Sequence, residues 1–315
     1  MKHIIKRFFN MKRIVVHLHL YYLDQVDMLL DKLVGIKDLC VLDLIVTIQQ
    51  KEPEIESKIK LKFPNAKIII VKNVGADIWP FIVMLNSVNL ENYDYLIKIH
   101  TKRFVKLKTS RIPETNIKIN GTKWRDYLLE FLEPDNFIKC LDSFINDEKL
   151  GMVSSYPVII TDNEKHYWNA DVCAKTRDFI NKKFKYQNKI SFVAGTMFMA
   201  RAKLFNIIKD LKFKESDFGK FESGKSNQLP HVMERFLGCC ILGQGYEIRD
   251  VFTPKIKIFY QKYFVKFGLI IRRKIGKIIK SILKFFVKIE RTKPERKIIG
   301  IRILKIWVWK NKETF

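Results

Sequence analysis

Two hydrophobic rhythms alternate along the first 250 residues, and each change of rhythm marks an element. Arg13 to Leu20 (RIVVHLHL) and Cys40 to Ile48 are apolar, β-branched runs of strand length, and Lys67 to Val71 is a shorter one. Between them, Asp24 to Val34 and Pro53 to Leu61 repeat apolar residues every three or four positions, as helices with one buried face do. The third run stops at Asn73 and Gly75, a turn signal, and Asp77 then opens a helix in which Phe81, Met84, Leu85 and Val88 fall at helical spacing. Asp77 suits the N-cap of that helix, and Pro80 is tolerated in its first turn. Tyr93 to Ile99 is the next strand, and it runs directly into His100-Thr101-Lys102-Arg103. Strand, helix and strand in that order form a right-handed βαβ unit, which predicts both the Asn73–Asp77 turn and the His100–Arg103 segment at the carboxyl edge of one sheet. Open α/β sheets bind ligands at that edge.

After Arg103 the rhythm breaks. Residues 104 to 122 are polar and turn-rich, a long connection of the kind that serves as an active-site loop. Helical spacing resumes at Trp124–Leu132 and Asp135–Ile145, then Leu150–Ser155 reads as a strand and 156 to 190 as irregular. Ser191 to Ala200 (SFVAGTMFMA) reads as one buried strand, with Gly195 marking a bulge or a close approach of a ligand to the backbone. A helix is expected from Ala202, a polar loop over 214 to 228, and a second helix from Pro230 to about Leu242. In that last helix Met233, Phe236, Leu237, Cys240 and Ile241 form the buried stripe, with His231, Glu234 and Arg235 opposite. A Glu near a helix start beside a loop is a candidate catalytic carboxylate, although a Glu234–Arg235 surface pair would need no such role. His17 and His19 share one face of the first strand, but with no third ligand nearby in sequence no metal site is expected there.

Charge changes the picture at the C-terminal end. The chain of 315 residues has a net charge of +26, and residues 256 to 315 hold 18 Lys or Arg against 3 Glu, a balance of +15. Ile271, Ile275, Ile278, Ile282, Phe285 and Ile289 make an apolar stripe, and Arg273, Lys277, Lys280, Lys284 and Lys288 the opposite face. The expectation is a basic amphipathic helical tail lying on an anionic membrane surface, with Trp307 and Trp309 at the headgroup level. The division is therefore an α/β domain over 11–255 and this tail over 256–315. The same charge would serve a nucleic-acid-binding protein, but it is concentrated in one amphipathic segment with no recognition module, so no nucleic-acid partner is expected. The five Cys (40, 140, 173, 239 and 240) have neither disulfide-framework nor thiolate-metal spacing, and no run of about 20 uncharged apolar residues occurs. MKHIIKRFFN lacks a small-residue cleavage site, so a signal peptide is not expected, and Met11 is an alternative start.

Seven pieces in order carry a resemblance. They are His19-Leu20-Tyr21-Tyr22 with Asp24; Asn73-x-Gly75-x-Asp77-Ile78-x-Pro80-Phe81; Tyr93-Asp94-Tyr95 leading to Lys98-Ile99-His100-Thr101-Lys102; Trp124-Arg125-x-Tyr127-Leu128; Leu150-Gly151-Met152-Val153; Phe192-Val193-Ala194-Gly195-Thr196-Met197-Phe198; and His231-x-x-Glu234-Arg235. With them the chain resembles the rhamnan synthesis protein F family of bacterial polysaccharide glycosyltransferase-like proteins, over roughly residues 11 to 250. Val74, Ala76 and Trp79 depart from the family's usual residues, which leaves the donor sugar open, rhamnose included. The resemblance implies a mostly parallel, Rossmann-like sheet flanked by helices, as in nucleotide-sugar transferases. It also implies sugar transfer from a nucleotide-sugar to a lipid-linked glycan, by a peripheral protein at the cytoplasmic face of the bacterial inner membrane. A catalytically silent membrane scaffold of polysaccharide assembly is the alternative.

The residues then take expected roles. Many sugar-nucleotide folds of this shape end the strand before the phosphate site in Asp-x-Asp, which holds a divalent metal, whereas here the strand ends in His100-Thr101-Lys102-Arg103. Lys102 and Arg103 are expected to neutralise the diphosphate without metal. His19, Asn73, Gly75, Asp77, His100 and Gly195 are expected around the donor, Asp77 on its hydroxyls. Glu234 is the expected base with His231 second, and Arg235 is expected on a phosphate or a sugar hydroxyl.

Overall fold

The computed structural model describes residues 12–102, 110–111, 118–119, 121–162, 190–218, 229–259, 271, 274–279, 281, 287–291, 298–303 and 306–310. The chain divides into two compact units, one ending at Ile258 and one beginning at Phe259.

The first unit alternates as the hydrophobic rhythm predicts. Its elements begin with β1 (Arg13–Leu20), α1 (Val26–Ile36), β2 (Val41–Ile48), α2 (Pro53–Lys62), β3 (Lys67–Ile70), α3 (Ile78–Asn86) and β4 (Tyr95–His100). They continue with α4 (Gly121–Leu129), α5 (Pro134–Asn146), β5 (Leu150–Val153), β6 (Ile159–Asp162), β7 (Ile190–Val193), β8 (Phe198–Arg201), α6 (Asn206–Asp210), α7 (Leu229–Leu242) and β9 (Glu247–Arg249). Seven strands form one sheet in the order β9-β5-β8-β4-β1-β2-β3. Within it β1 to β4 are mutually parallel, β9 is parallel to β5, and β8 runs against both its neighbours. All of β1 after Arg13 and all of β4 are buried, which is why both read as nearly unbroken apolar runs. In α1 the buried residues Val26, Leu29, Leu30, Leu33 and Ile36 recur at helical spacing against the sheet.

The topology refines two expectations. β3 and β4 are not neighbours, because β1 and β2 lie between them, yet the parallel order still brings their carboxyl ends to one edge. The run 191–200 is not one strand. β7 ends at Val193 and pairs with β6, β8 starts at Phe198 in the main sheet, and Gly195 (φ 94°) with Thr196 (φ 52°) turns the chain between them. Among the described residues of the 104–122 connection, Ser110–Arg111 pairs antiparallel with Lys118–Ile119. The expected irregularity of 156–190 holds a strand at its start, β6, and 163–189 lie outside the described residues.

The second unit corrects the expectation of a helical tail. Residues 274 to 279 are helical, and Ile271, Ile275, Ile278 and Ile279 on this segment are exposed. Farther on, β10 (Val287–Arg291), β11 (Ile298–Ile303) and β12 (Ile306–Lys310) form a three-stranded antiparallel sheet, so Ile289, counted in the helical stripe, lies in a strand. VKIER and IWVWK alternate with period two and are rich in β-branched and aromatic residues, a local signal that outweighs the longer helical count. Lys277 is in the helical segment and exposed, Trp307 and Trp309 are in β12, and Arg273, Lys280 and Lys284 lie outside the described residues.

Close approach of α7 to β7 positions the site. A Cβ on Gly238 would collide with the Ser191 carbonyl and stand 2.7 Å from Phe192 Cα, both backbone atoms that cannot step aside. Gly238 lies one turn after Glu234, so this approach carries Glu234 to the Gly195 turn. Gly238→Ala is expected to push the helix off the strand and destabilise the protein by about 1–3 kcal/mol. Thermal unfolding would show a lowered midpoint, and an unchanged one would contradict the packing role.

Candidate functional site

Asp77 sits where the sequence places it, at the start of α3, but its side chain does not cap the helix. It is delivered by a left-handed turn, Gly75 (φ 65°) and Ala76 (φ 53°), whose Gly75 carbonyl accepts from the Ile78 amide at 3.1 Å. A Cβ at Gly75 would lie 2.7 Å from the Phe218 ring, so the position needs glycine for both space and dihedral. The Asp77 carboxylate turns inward instead, and its Oδ2 accepts from the Lys98 ammonium and from the Thr196 hydroxyl.

Lys98 lies in the middle of β4 and is wholly buried. Its remaining N–H groups donate to the Thr196 carbonyl at 3.1 Å and the Thr196 hydroxyl at 2.8 Å. A buried ammonium is tolerated only when paired and hydrogen-bonded, and here both conditions are met. Burial pushes the Asp77 carboxyl up, but Lys98, His100 and the two hydrogen bonds outweigh it and hold it well below the usual carboxylate range. Burial lowers Lys98, against the pull of Asp77.

The turn at Gly195 and Thr196 ties this pair to α7. His100 Nε2 stands 3.0 Å from the Gly195 carbonyl and 3.8 Å from Asp77 Oδ2, while Nδ1 stands 3.0 Å from the Thr101 carbonyl. A neutral imidazole has one N–H for those two carbonyls. Burial, with Lys98 and Lys102 nearby, nonetheless lowers the ring to about 4 against the pull of Asp77. On the other side, the Gly195 amide donates to Glu234 Oε1 at 2.7 Å. Glu234 Oε2 lies 4.0 Å from His231 Nδ1 and 3.7 Å from Arg235. Burial raises the Glu234 carboxyl, and His231, the Gly195 amide, Arg235 and Lys102 bring it below its ordinary value.

Arg235 differs from expectation. It was placed on the polar side of α7, facing a ligand, but its guanidinium is buried over the Phe192 ring at 4.8 Å and donates to the His231 carbonyl at 2.9 Å. Its contacts brace the start of α7.

Strand register explains why a polar cluster lies in an apolar sheet. His17 is opposite Lys98, and His19 is opposite both His100 and Thr47, so all five share one face, where the Phe81 ring of α3 meets His17 and Lys98. The Thr47 hydroxyl lies 2.9 Å from His17 Nε2 and 3.0 Å from His19 Nδ1. One hydroxyl proton serves one ring as donor, so the other ring must donate its own N–H to Thr47. Among the described residues no group of three or more His, Cys, Asp or Glu is arranged to hold a metal ion.

The segment after β4 is fastened to the loop after β1. Thr101 Oγ1 accepts from the amides of Tyr21 (2.8 Å) and Tyr22 (2.9 Å), and Gln25 bonds both the amide (3.0 Å) and the carbonyl (2.8 Å) of Lys102. The structure thus joins His19, Asp77, His100, Gly195 and Glu234 through side chains that the sequence reading did not select: Lys98, Thr196, Thr47 and Gln25. Lys98 had a visible signal, a lysine inside the apolar run YLIKIH, since a buried lysine requires a carboxylate partner. Gly75 shapes the turn, Asn73 is exposed beside it, and Arg103 lies outside the described residues.

A helix-flanked, mostly parallel sheet with a charged cluster at its carboxyl edge defines a glycosyltransferase-like α/β domain. The sequence profile of rhamnan synthesis protein F matches residues 1–246, and the chain belongs to that family. The protein WxcX of Xanthomonas campestris pv. campestris, described as uncharacterized, is 26% identical over 238 residues in each of two strains. The match covers 75% of this chain and 32% of WxcX, so the chain spans about a third of the length of the curated relatives it matches. Among solved structures, a mannosyltransferase from Pyrobaculum calidifontis in complex with GDP-Man and Mn2+ superposes with a TM-score of 0.35 at 11% identity, over 76% of this chain and 54% of that one. The apo glycosyltransferase GlyE of Streptococcus pneumoniae gives a TM-score of 0.21 at 17% identity, over 44% of this chain and 39% of that one.

The buried histidines make stability depend on pH. Burial lowers His17 well below its ordinary value and His19 to about 3, so below pH 6.5 the unfolded chain takes up protons that the native protein refuses. Stability from these two groups is therefore complete above about pH 6.5 and is lost as pH falls toward 4, at roughly 1.4 kcal/mol per pH unit for each ring. Denaturant unfolding at pH 7.5, 6 and 5 should show this decline, and His19→Asn should flatten it. A slope unaffected by that substitution would contradict the assignment.

Proposed function

We propose that this domain transfers a glycosyl group from a nucleoside-diphosphate sugar to a lipid-linked glycan at the cytoplasmic face of the inner membrane. The observation that carries the proposal is the Asp77 carboxylate, held ionised by Lys98 and Thr196 at the sheet edge where parallel α/β folds bind nucleotides. Membership of the rhamnan synthesis protein F family supports the reaction class. The donor sugar is rhamnose or another deoxyhexose. Ala76 and Trp79, which depart from the family's usual residues, build the donor-side turn here, Ala76 by its left-handed backbone and Trp79 by packing on Phe218 at 5.6 Å.

Each site group then has a task. Asp77 accepts hydrogen bonds from donor hydroxyls. Lys102, whose backbone Gln25 fixes, and Arg103 neutralise the departing diphosphate, and no divalent ion is required. Glu234 takes the proton of the acceptor hydroxyl through Oε2, since Oε1 is occupied by the Gly195 amide, and His231 stands behind it. A carboxylate held below its usual range is a weak base, which suffices because the hydroxyl becomes acidic only as its bond to the sugar forms. In the second unit, the exposed isoleucines and Lys277 of the helical segment meet an anionic membrane surface. Among the described residues no helix is long and apolar enough to cross a membrane.

Two measurements test this. Thermal unfolding with UDP-glucose, GDP-mannose and dTDP-rhamnose in the presence of EDTA should show stabilisation by at least one, lost by tenfold or more in affinity in Asp77→Asn. Stabilisation that appears only with added manganese or magnesium would contradict the metal-free reading, and none with or without metal would favour a silent scaffold. The full chain should also cosediment with vesicles containing phosphatidylglycerol but not with pure phosphatidylcholine. Replacing Lys274 and Lys277 by Glu should weaken that binding tenfold or more, at about 1 kcal/mol per charge. Unchanged binding would remove this segment as the anchor.

A further inference from the structure

The proposed reaction asks Asp77 to offer an oxygen to the donor, and the packing around it determines which one. The Lys98 ammonium is fully buried, so it cannot touch a phosphate in the cleft, and its three donors end on Asp77 Oδ2, the Thr196 carbonyl and the Thr196 hydroxyl. That hydroxyl accepts from Lys98 and passes its own proton to the same Oδ2. Oδ2 therefore holds two donors, while Oδ1 holds none among the described residues, and the side chain keeps 20% exposure. Two left-handed turns, Gly75–Ala76 before Asp77 and Gly195–Thr196 opposite it, keep both ends of this linkage in place.

Resting on the transferase reading, we propose that Lys98 is a positioning residue that makes Asp77 a one-sided acceptor, pinning Oδ2 inward so that an ionised Oδ1 meets a donor hydroxyl. The other charged groups near the pair are His100 from the same strand, His17 and His19 from β1, and Lys102 and Glu234 on the far side of Lys98. Four of these six are histidine or lysine side chains that also draw on Asp77, yet only Lys98 hydrogen-bonds it. Removing the ammonium leaves a buried carboxylate without its bonded countercharge, and such a group takes up a proton near neutral pH. A protonated Asp77 would then present a hydroxyl in place of an acceptor.

The experiment follows the Asp77 carboxyl carbon by NMR in aspartate-labelled protein, its resonance identified by its loss in Asp77→Asn. In the wild type it should stay in the ionised position down to pH 4, and in Lys98→Met its midpoint should rise by at least one pH unit. A folded Lys98→Met protein whose Asp77 stays ionised to pH 4 overturns the proposal. If Lys98→Met does not fold, the Lys98 ammonium nitrogen in lysine-labelled protein decides instead: Asp77→Asn should move its resonance and speed its hydrogen exchange at least tenfold, and no change overturns the proposal. Calorimetry with UDP-glucose, GDP-mannose and dTDP-rhamnose adds the functional readout. For a sugar that binds the wild type, Lys98→Met should lose tenfold or more in affinity at pH 5.5 and regain it in part at pH 8, and an equal loss at both values contradicts the role. If none of the three binds the wild type, the transferase reading loses its support, while the two NMR measurements still decide what Lys98 does to Asp77.

Discussion

A lysine ammonium sealed inside a sheet must be neutralised where it lies, and much of this site follows from that requirement. Lys98 is set into β4 between two strands and under an aromatic ring, out of reach of water. Its only bonded countercharge comes from Asp77, 21 residues earlier in the chain, and its remaining donors are met by Thr196, 98 residues later. Satisfying one cation therefore fastens the start of α3 and the link between β7 and β8 to the central sheet. Glu234 extends the same chain of contacts, because the Gly195 amide it receives belongs to the turn that Lys98 holds from the other side.

The cost is carried in the backbone and in the neighbouring histidines. Ala76 and Thr196 adopt left-handed dihedrals that residues with a Cβ rarely adopt, and each follows a glycine that opens the turn. His17 and His19 are forced to stay neutral and to share one threonine hydroxyl. An apolar set of side chains would pack this face with less penalty, and strain and buried polarity gathered at one sheet edge are what a ligand site shows. The Phe81, Phe198 and Phe205 rings, 5.6–6.3 Å apart, supply the rigid floor beneath it.

Much of this architecture was legible in the sequence because buried parallel strands read as continuous apolar runs and their helices as periodic ones; RIVVHLHL and the α1 stripe are examples. Asp77, His100, Gly195 and Glu234 were legible as punctuation, a polar residue or glycine at the end of each run. What was hidden depends on distant contacts. Whether Asp77 caps its helix or bonds Lys98 is settled by a strand that local spacing does not mention. The left-handed turn inside SFVAGTMFMA is masked by apolar residues on both sides of it, and Arg235 reads as surface because its packing partner, Phe192, comes from another element. In the second unit a helical count over scattered isoleucines concealed the alternation that places β10 to β12 in a sheet.

The dependence of the site on one buried ion pair is measured most directly by a double-mutant cycle on stability with Asp77→Asn, Lys98→Met and the two combined. Each single change is expected to cost roughly 3–5 kcal/mol, because it strands a buried partner, and the double variant to cost at least about 2 kcal/mol less than the sum of the two. Effects that add to within about 0.5 kcal/mol would show that the two residues do not depend on each other, and would contradict the ion pair as the link that holds the site together.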